Sequence, residues 1–133
     1  MTTQNNPVNY AEAIQYQLAS IVDPVPVYAN FNRNFAKQPK LRNIHQPVYT
    51  GGVQSNKGID RPTFQISIFA QSMSDAFGLS DEILQSLHGY SGQFGGVDGF
   101  FIAKADVFWL YNSYDDELKI HQIFLDCTID VPA

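Results

Sequence analysis

The side chains that could do chemistry here are three histidines, one cysteine and a run of acids, and their spacing argues against each in turn. His45, His88 and His121 lie in different stretches, with no HxH or HExxH spacing that would put two of them on one metal ion. Cys127 is the single cysteine, so a zinc site would need carboxylates gathered by the fold. Cys127 and His121 are a nucleophile and a base by type. Six residues of extended chain hold them about 20 Å apart, too far to share a proton. Cys127 falls on the apolar face of its strand and is expected as a buried, inert thiol. Asp115, Asp116 and Glu117 form the densest acidic group. Paired carboxylates can act as acid and base, but consecutive residues of a turn point in different directions, and no cation-loop pattern surrounds them. The glycines of GQFGGVDG follow a helical pattern and precede a strand, the reverse of a phosphate-cradling unit, and read as a connector. The expectation is a chain with no catalytic residue, no metal site and no cofactor.

Charge is distributed unevenly. The window from Arg33 to Arg61 holds six of the eight Lys and Arg residues against one acid, Asp60, while the remaining chain holds two bases and twelve acids. A net charge of −5 is thus a segment of +5 joined to a body of −10. Lys37, Lys40 and Arg42, with Phe35 nearby, are of a type that touches phosphates. The acidic total and the lack of any recognised DNA-binding motif argue against sequence-specific binding.

The elements that must carry these groups are legible from periodicity. Asn6 is a good N-cap, Pro7 suits a first helical position, and Tyr10, Ile14, Leu18 and Ile21 recur at helical spacing; Asp23-Pro24 ends the element, predicting a helix over 7–22. Val25 to Asn30 reads as a short extended piece. The basic window, broken by Pro39, Pro47, Gly58 and Pro62, reads as a long loop or loose hairpin, with a hint of a strand in HQPVYTGGVQ. In TFQISIFAQ, Phe64, Ile66, Ile68 and Ala70 alternate with polar residues as in a half-buried strand. A capped helix follows, with Ala76, Phe77, Ile83, Leu84 and Leu87 on one face, weakened at Gly78 and stopped at Gly89. FFIAKADVFWLYN and KIHQIFLDCTIDV then form a long antiparallel hairpin turned at NSYDDE. The first of these strands is apolar on both sides, with Phe101, Val107, Trp109 and Tyr111 on one and Phe100, Ile102, Phe108 and Leu110 on the other.

The 133 residues are expected as one α+β domain: an antiparallel sheet of about four strands, two helices on one face, and 33–61 as an extended basic loop. The N-terminus has no basic start or apolar run of a secretory signal, no stretch approaches a membrane span, and a lone cysteine fits a reducing interior. The expected setting is soluble and cytoplasmic at synthesis. Two helices cover one face, so part of the doubly apolar strand needs another cover, and a basic arm beside an acidic body suggests that a second copy supplies it. If the two patches are separate surfaces, the contact is heterologous and can close into a ring. The candidate interface residues are Arg33, Lys37, Lys40 and Arg42 on the arm, with Phe100, Phe108, Asp115 and Asp116 on the body.

The layout resembles the tail-completion, or tail-terminator, proteins of long-tailed bacteriophages. The likeness runs over nearly the whole chain: a first helix ending in LASIVDPVPVYAN, a variable loop closed by a proline, the strand FQISIFAQ running into SDAFGLSDEILQSLHGY, a glycine-rich link, and the final hairpin. The window 33–61 departs from the family, whose link is usually shorter. The resemblance implies a non-enzymatic virion protein that forms a ring, commonly hexameric, on the head-proximal end of the tail tube. Such a ring stops tube growth and joins the tail to the head connector while DNA passes through the lumen without specific binding. Its partners would be its own copies, the tube protein and the connector, and its place the virion tail or neck after synthesis in the host bacterial cytoplasm. Two other readings stay open. One is a neighbouring head-completion or neck ring protein; the other is a small α+β ligand-binding or enzymatic domain with a deep polar cleft.

Overall fold

The computed structural model describes residues 7–28, 42–48, 59–117 and 119–132. In chain order the elements are α1 (Pro7–Val22), β1 (Val27–Tyr28), β2 (Arg42–Val48), β3 (Ile59–Asp60), β4 (Thr63–Ala70), α2 (Met73–Leu87), β5 (Gly92–Phe94), β6 (Phe100–Ile102), β7 (Lys104–Asp115) and β8 (Ile120–Pro132). The α+β class and the two helices on one face of an antiparallel sheet stand as expected.

β8 is the organising strand. Its odd residues Ile123, Leu125, Cys127, Ile129 and Val131 are all buried and alternate with partly exposed even ones, the period-two pattern of a strand with one face on the core. β4 pairs antiparallel along one edge, matching Ile68 with Ile123, Ile66 with Leu125 and Phe64 with Cys127, so the apolar rows of both strands share one face. β7 pairs along the other edge. β2 lies outside β4, and β1 outside β2, the latter pair parallel. β3 continues β4: Ile59 opposite Pro132, Asp60 opposite Val131 and Thr63 opposite Thr128 keep one register. The interruption is Pro62, which has no N–H to give, although its carbonyl accepts the Ile129 N–H at 3.1 Å. The sheet thus runs from β1 at one edge through β2, β4 and β8 to β7 at the other.

β2 realises the strand hinted at in HQPV and starts it earlier, at Arg42, inside the window read as a loop or loose hairpin. Pro47 appeared as punctuation, yet it lies inside the strand opposite Phe64. Among the described residues β1 pairs only with Asn43 and Ile44, and no described strand lies beside Pro47, where a missing N–H is tolerated.

Both helices cover the same face. Tyr10, Ala13, Ile14, Leu18 and Val22 from α1 and Ala76, Leu79, Ile83 and Leu87 from α2 join the β4 and β8 rows in one core. Each large apolar side chain fully removed from water there contributes about 1.5–3 kcal/mol. Ser72 caps α2 through its hydroxyl, which accepts the Asp75 N–H at 3.1 Å, and the helix runs unbroken through Gly78 to His88, with Gly89 at positive φ beyond. Phe77 was expected on the buried face; it is 43% exposed and stacks instead on Trp109.

The long apolar strand expected over 100–111 is two strands out of phase. In β6 the even residue Ile102 is buried; past a bend at Ala103, the odd residues Ala105 and Val107 of β7 are buried. β6 folds back on β5 as a separate hairpin, and the Gln17 side chain accepts the Gly95 N–H at 2.9 Å to hold its turn on α1. The final turn comes later than NSYDDE suggested: Asn112 to Asp115 remain in β7, and the chain reverses over 116–119.

Candidate functional site

β7 is an edge strand whose proximal half is covered. The Gly89 N–H donates to the Ala105 carbonyl (2.7 Å), the Ala105 N–H to the Tyr90 carbonyl (3.0 Å), and the Val107 N–H to His88 Nδ1 (3.0 Å). The chain leaving α2 therefore satisfies the outer edge of β7 as far as Val107. Beyond it, the backbone of the chain leaving α2 makes no further hydrogen bond to that edge.

A β-bulge changes the phase there. Trp109 faces Leu125 and Tyr111 faces Phe124, leaving Leu110 as the extra residue. Residues 105 and 107 point their backbone groups outward before the bulge. After it, Tyr111 and Ser113 bond to β8, and Asn112 and Tyr114 point outward. Side chains swap faces as well. Trp109, Asn112 and Tyr114 lie on the helix side, Trp109 stacked on Phe77 (centroids 6.4 Å apart) and Tyr114 tilted on His121 (4.7 Å). Phe108 and Tyr111 lie on the opposite side, Tyr111 stacked on Phe124 at 4.7 Å. An open strand edge is thus flanked by aromatic rings above and below. Phe108, Trp109, Leu110, Tyr111 and Tyr114 are between 41% and 56% exposed, an apolar concentration that a soluble surface seldom leaves bare.

The tip beyond is acidic. Asp115 accepts the Glu117 N–H at 3.0 Å and so shapes the turn, while Asp116 and Glu117 project into solvent. Further down, Asp126, opposite Phe108, has its pKa raised by burial. Burial, reinforced by the charges of Asp126 and Asp106, pushes the Cys127 thiol up to about 12. This thiol is neutral and enclosed, with no base beside it. His121 Nδ1 is buried without a hydrogen-bond partner.

A second concavity, a cleft of about 380 Å³, opens between α1 and the β5–β6 turn and is lined by Glu12, Tyr16, Val97, Asp98 and Phe100 among others. Its polar groups are two carboxylates and a phenol, with neither nucleophile nor basic side chain. Among the described residues no three His, Cys, Asp or Glu side chains come together in a way that could hold a metal ion, and no helix is long and apolar enough to cross a membrane.

No family model matches the sequence, and no curated protein is similar to it. The fold has a known counterpart. The chain is similar to one in the structure of the virion of a native gene transfer agent particle, with a TM-score of 0.62 over 92% of this chain and 94% of that one. At 14% identity the likeness is one of fold.

The body residues singled out from sequence divide. Asp115 and Asp116 stand together at the tip of the β7–β8 hairpin, and Phe108 lies seven residues of extended strand, about 23 Å, away from Asp115. Phe100 does not join them: it is half-buried, edge-on to Tyr10 at 5.6 Å and tilted against Phe94, so its ring packs within the chain. Arg42 opens β2 opposite Phe69. Arg33, Lys37 and Lys40 lie outside the described residues. Sequence reasoning missed Trp109, Leu110, Tyr111 and Tyr114 as a group, although the uncovered apolar run over 108–111 was their signal.

Proposed function

We propose that this protein is a structural virion component: a subunit of a hexameric ring on the head-proximal end of a tail tube, ending tube growth and joining the tail to the head connector. The observation that carries the virion reading is the end-to-end correspondence of fold with a virion chain, which leaves little of either chain unmatched. The strand-helix-hairpin pattern, with its likeness to tail terminators, supports a position at the end of the tail. The bare aromatic hairpin and the separation of charge between window and body support a ring of identical copies. In this reading the protein performs no reaction. It is made in the bacterial host, binds its own copies, the tube protein and the connector, and lets DNA pass through the lumen.

The test is solution mass by light scattering at low and high salt, with negative-stain images. The expected result is closed rings whose mass is a multiple of the 14.9 kDa chain and which loosen as salt screens the opposed charges. A single-chain mass at every concentration and salt overturns the ring. Adding the protein to polymerising tube protein tests its position: a terminator yields short capped tubes, whereas undiminished growth assigns the chain to the neck.

A further inference from the structure

The bare half of β7 lies at one edge of the sheet, and the thirteen residues joining β1 to β2 leave from the other. The two edges are level. Arg42 pairs with Phe69, Phe69 with Gln122 and Gln122 with Ser113, forming one row across the sheet. The next two rows run Val27, Asn43, Ile68, Ile123 and Asn112, then Tyr28, Ile44, Ser67, Phe124 and Tyr111. The connection from Tyr28 to Arg42 therefore begins and ends at the height of the open edge, on the opposite side of the molecule.

We infer that the open edge of β7, Trp109 to Tyr114, is the seat of an added strand, supplied by residues 30–37 of a second copy of this chain. This deepens the ring reading and rests on it. The sequence of the segment, NFNRNFAK, alternates Phe31, Arg33, Phe35 and Lys37 with Asn and Ala, the period-two pattern of a strand. Its two phenylalanines, four residues apart, fall on one face of such a strand and match one of the two aromatic rows flanking the seat. Its cations, with Lys40 just beyond, match the acidic tip at Asp116 and Glu117.

A chain cannot fill its own seat. From β1 to β7 is four strand spacings, about 19 Å. Reaching a seat outside β7, five spacings from β1, and returning to β2, four spacings from it, takes about 43 Å of the about 45 Å that thirteen residues span when fully extended, leaving almost none to pair. Donor and acceptor on opposite edges make a head-to-tail contact, which closes into a ring when each step carries a rotation. Backbone pairing supplies the affinity of such strand addition, and the flanking side chains supply its selectivity.

The test uses the full chain and reads association by light scattering and sedimentation. Asn112→Pro removes one outward N–H and leaves the β7–β8 hydrogen bonds intact, a substitution an edge strand tolerates. It is expected to raise the dissociation constant by about tenfold or more. Reversing the tip (Asp116→Lys with Glu117→Lys) should weaken association similarly, and adding Lys37→Glu with Lys40→Glu to the same chain should restore it. Thermal unfolding of each variant confirms that the subunit remains folded. Wild-type rings that persist unchanged in Asn112→Pro and in the reversed tip overturn the seat and leave the ring reading standing. Weakening without restoration by the paired reversal overturns segment 30–37 as the occupant. A wild-type chain that never associates overturns seat and ring together, and the wild type alone reports it.

Discussion

His88 takes the Val107 backbone N–H on Nδ1 across 3.0 Å, so the residue that ends α2 also marks where cover of the β7 edge stops. The ring stands 6.0 Å from that of Phe108, the first of the exposed apolar residues. His88→Ala should lower stability by about 1 kcal/mol, the net worth of one such bond. It should also speed hydrogen exchange at the Val107 amide while leaving the Ala105 amide, held by Tyr90, protected. Equal rates at both would show that the edge opens as one unit.

Gly78 stands in the middle of α2, exposed, with nothing within 4 Å of the position a Cβ would take. Gly78→Ala should therefore stabilise the protein by about 0.5–1 kcal/mol, through helix propensity and a less entropic unfolded chain. Gly99 is the opposite case. A Cβ there would run into the Phe94 carbonyl across the β5–β6 turn. Gly99→Ala should destabilise, and a chemical denaturation series on the two variants compares them directly.

The Cys127 thiol gives a pH signature. Its ordinary pKa of 9.0 is raised in the folded chain to about 12, chiefly by burial. Between those values the unfolded chain has lost the proton and the folded chain keeps it, so stability is whole below pH 9.0 and falls as pH rises through this range. Melting temperature should decline from about pH 9 to 11 more steeply in the wild type than in Cys127→Ala, although the variant is less stable at neutral pH by about 1–2 kcal/mol. A thiol reagent at pH 8 should label Cys127 only in denaturant. Prompt labelling of the native chain would contradict the burial.

Capping gives a fourth expectation. Ser72→Ala removes the oxygen that accepts the Asp75 N–H, and should cost about 1 kcal/mol. Ser72→Asp should retain most of the stability by keeping an acceptor at the same helix end.

Legibility in the sequence followed the clarity of the period. α1 spans 7–22 as its caps and apolar stripe required, and the alternation of Phe64, Ile66 and Ile68 and of Ile123 to Val131 placed the two central strands. Where apolar residues fill both faces, alternation says nothing about phase. The bend at Ala103 and the extra residue Leu110 were for that reason invisible, and so was the later turn. Phe77 was misplaced because its apolar partner, Trp109, lies outside the core. For the candidate site, aromatic excess pointed to Phe108 and acidity to Asp115 and Asp116, which lie in the middle and at the tip of the hairpin. The hydrogen bonds that divide the β7 edge into a covered and a bare half depend on the loop after α2, which carries no local signature.

Leu110 gives β7 two reading frames. Up to Trp109 the odd positions serve the core, and beyond it that duty passes to even ones. The frame shift begins where Trp109 stacks on Phe77 of α2, so Tyr111 to Asp115 belong to the tip and Lys104 to Phe108 to the inner ladder. The bulge thus separates the part of β7 that fills the core from the part that forms the hairpin tip.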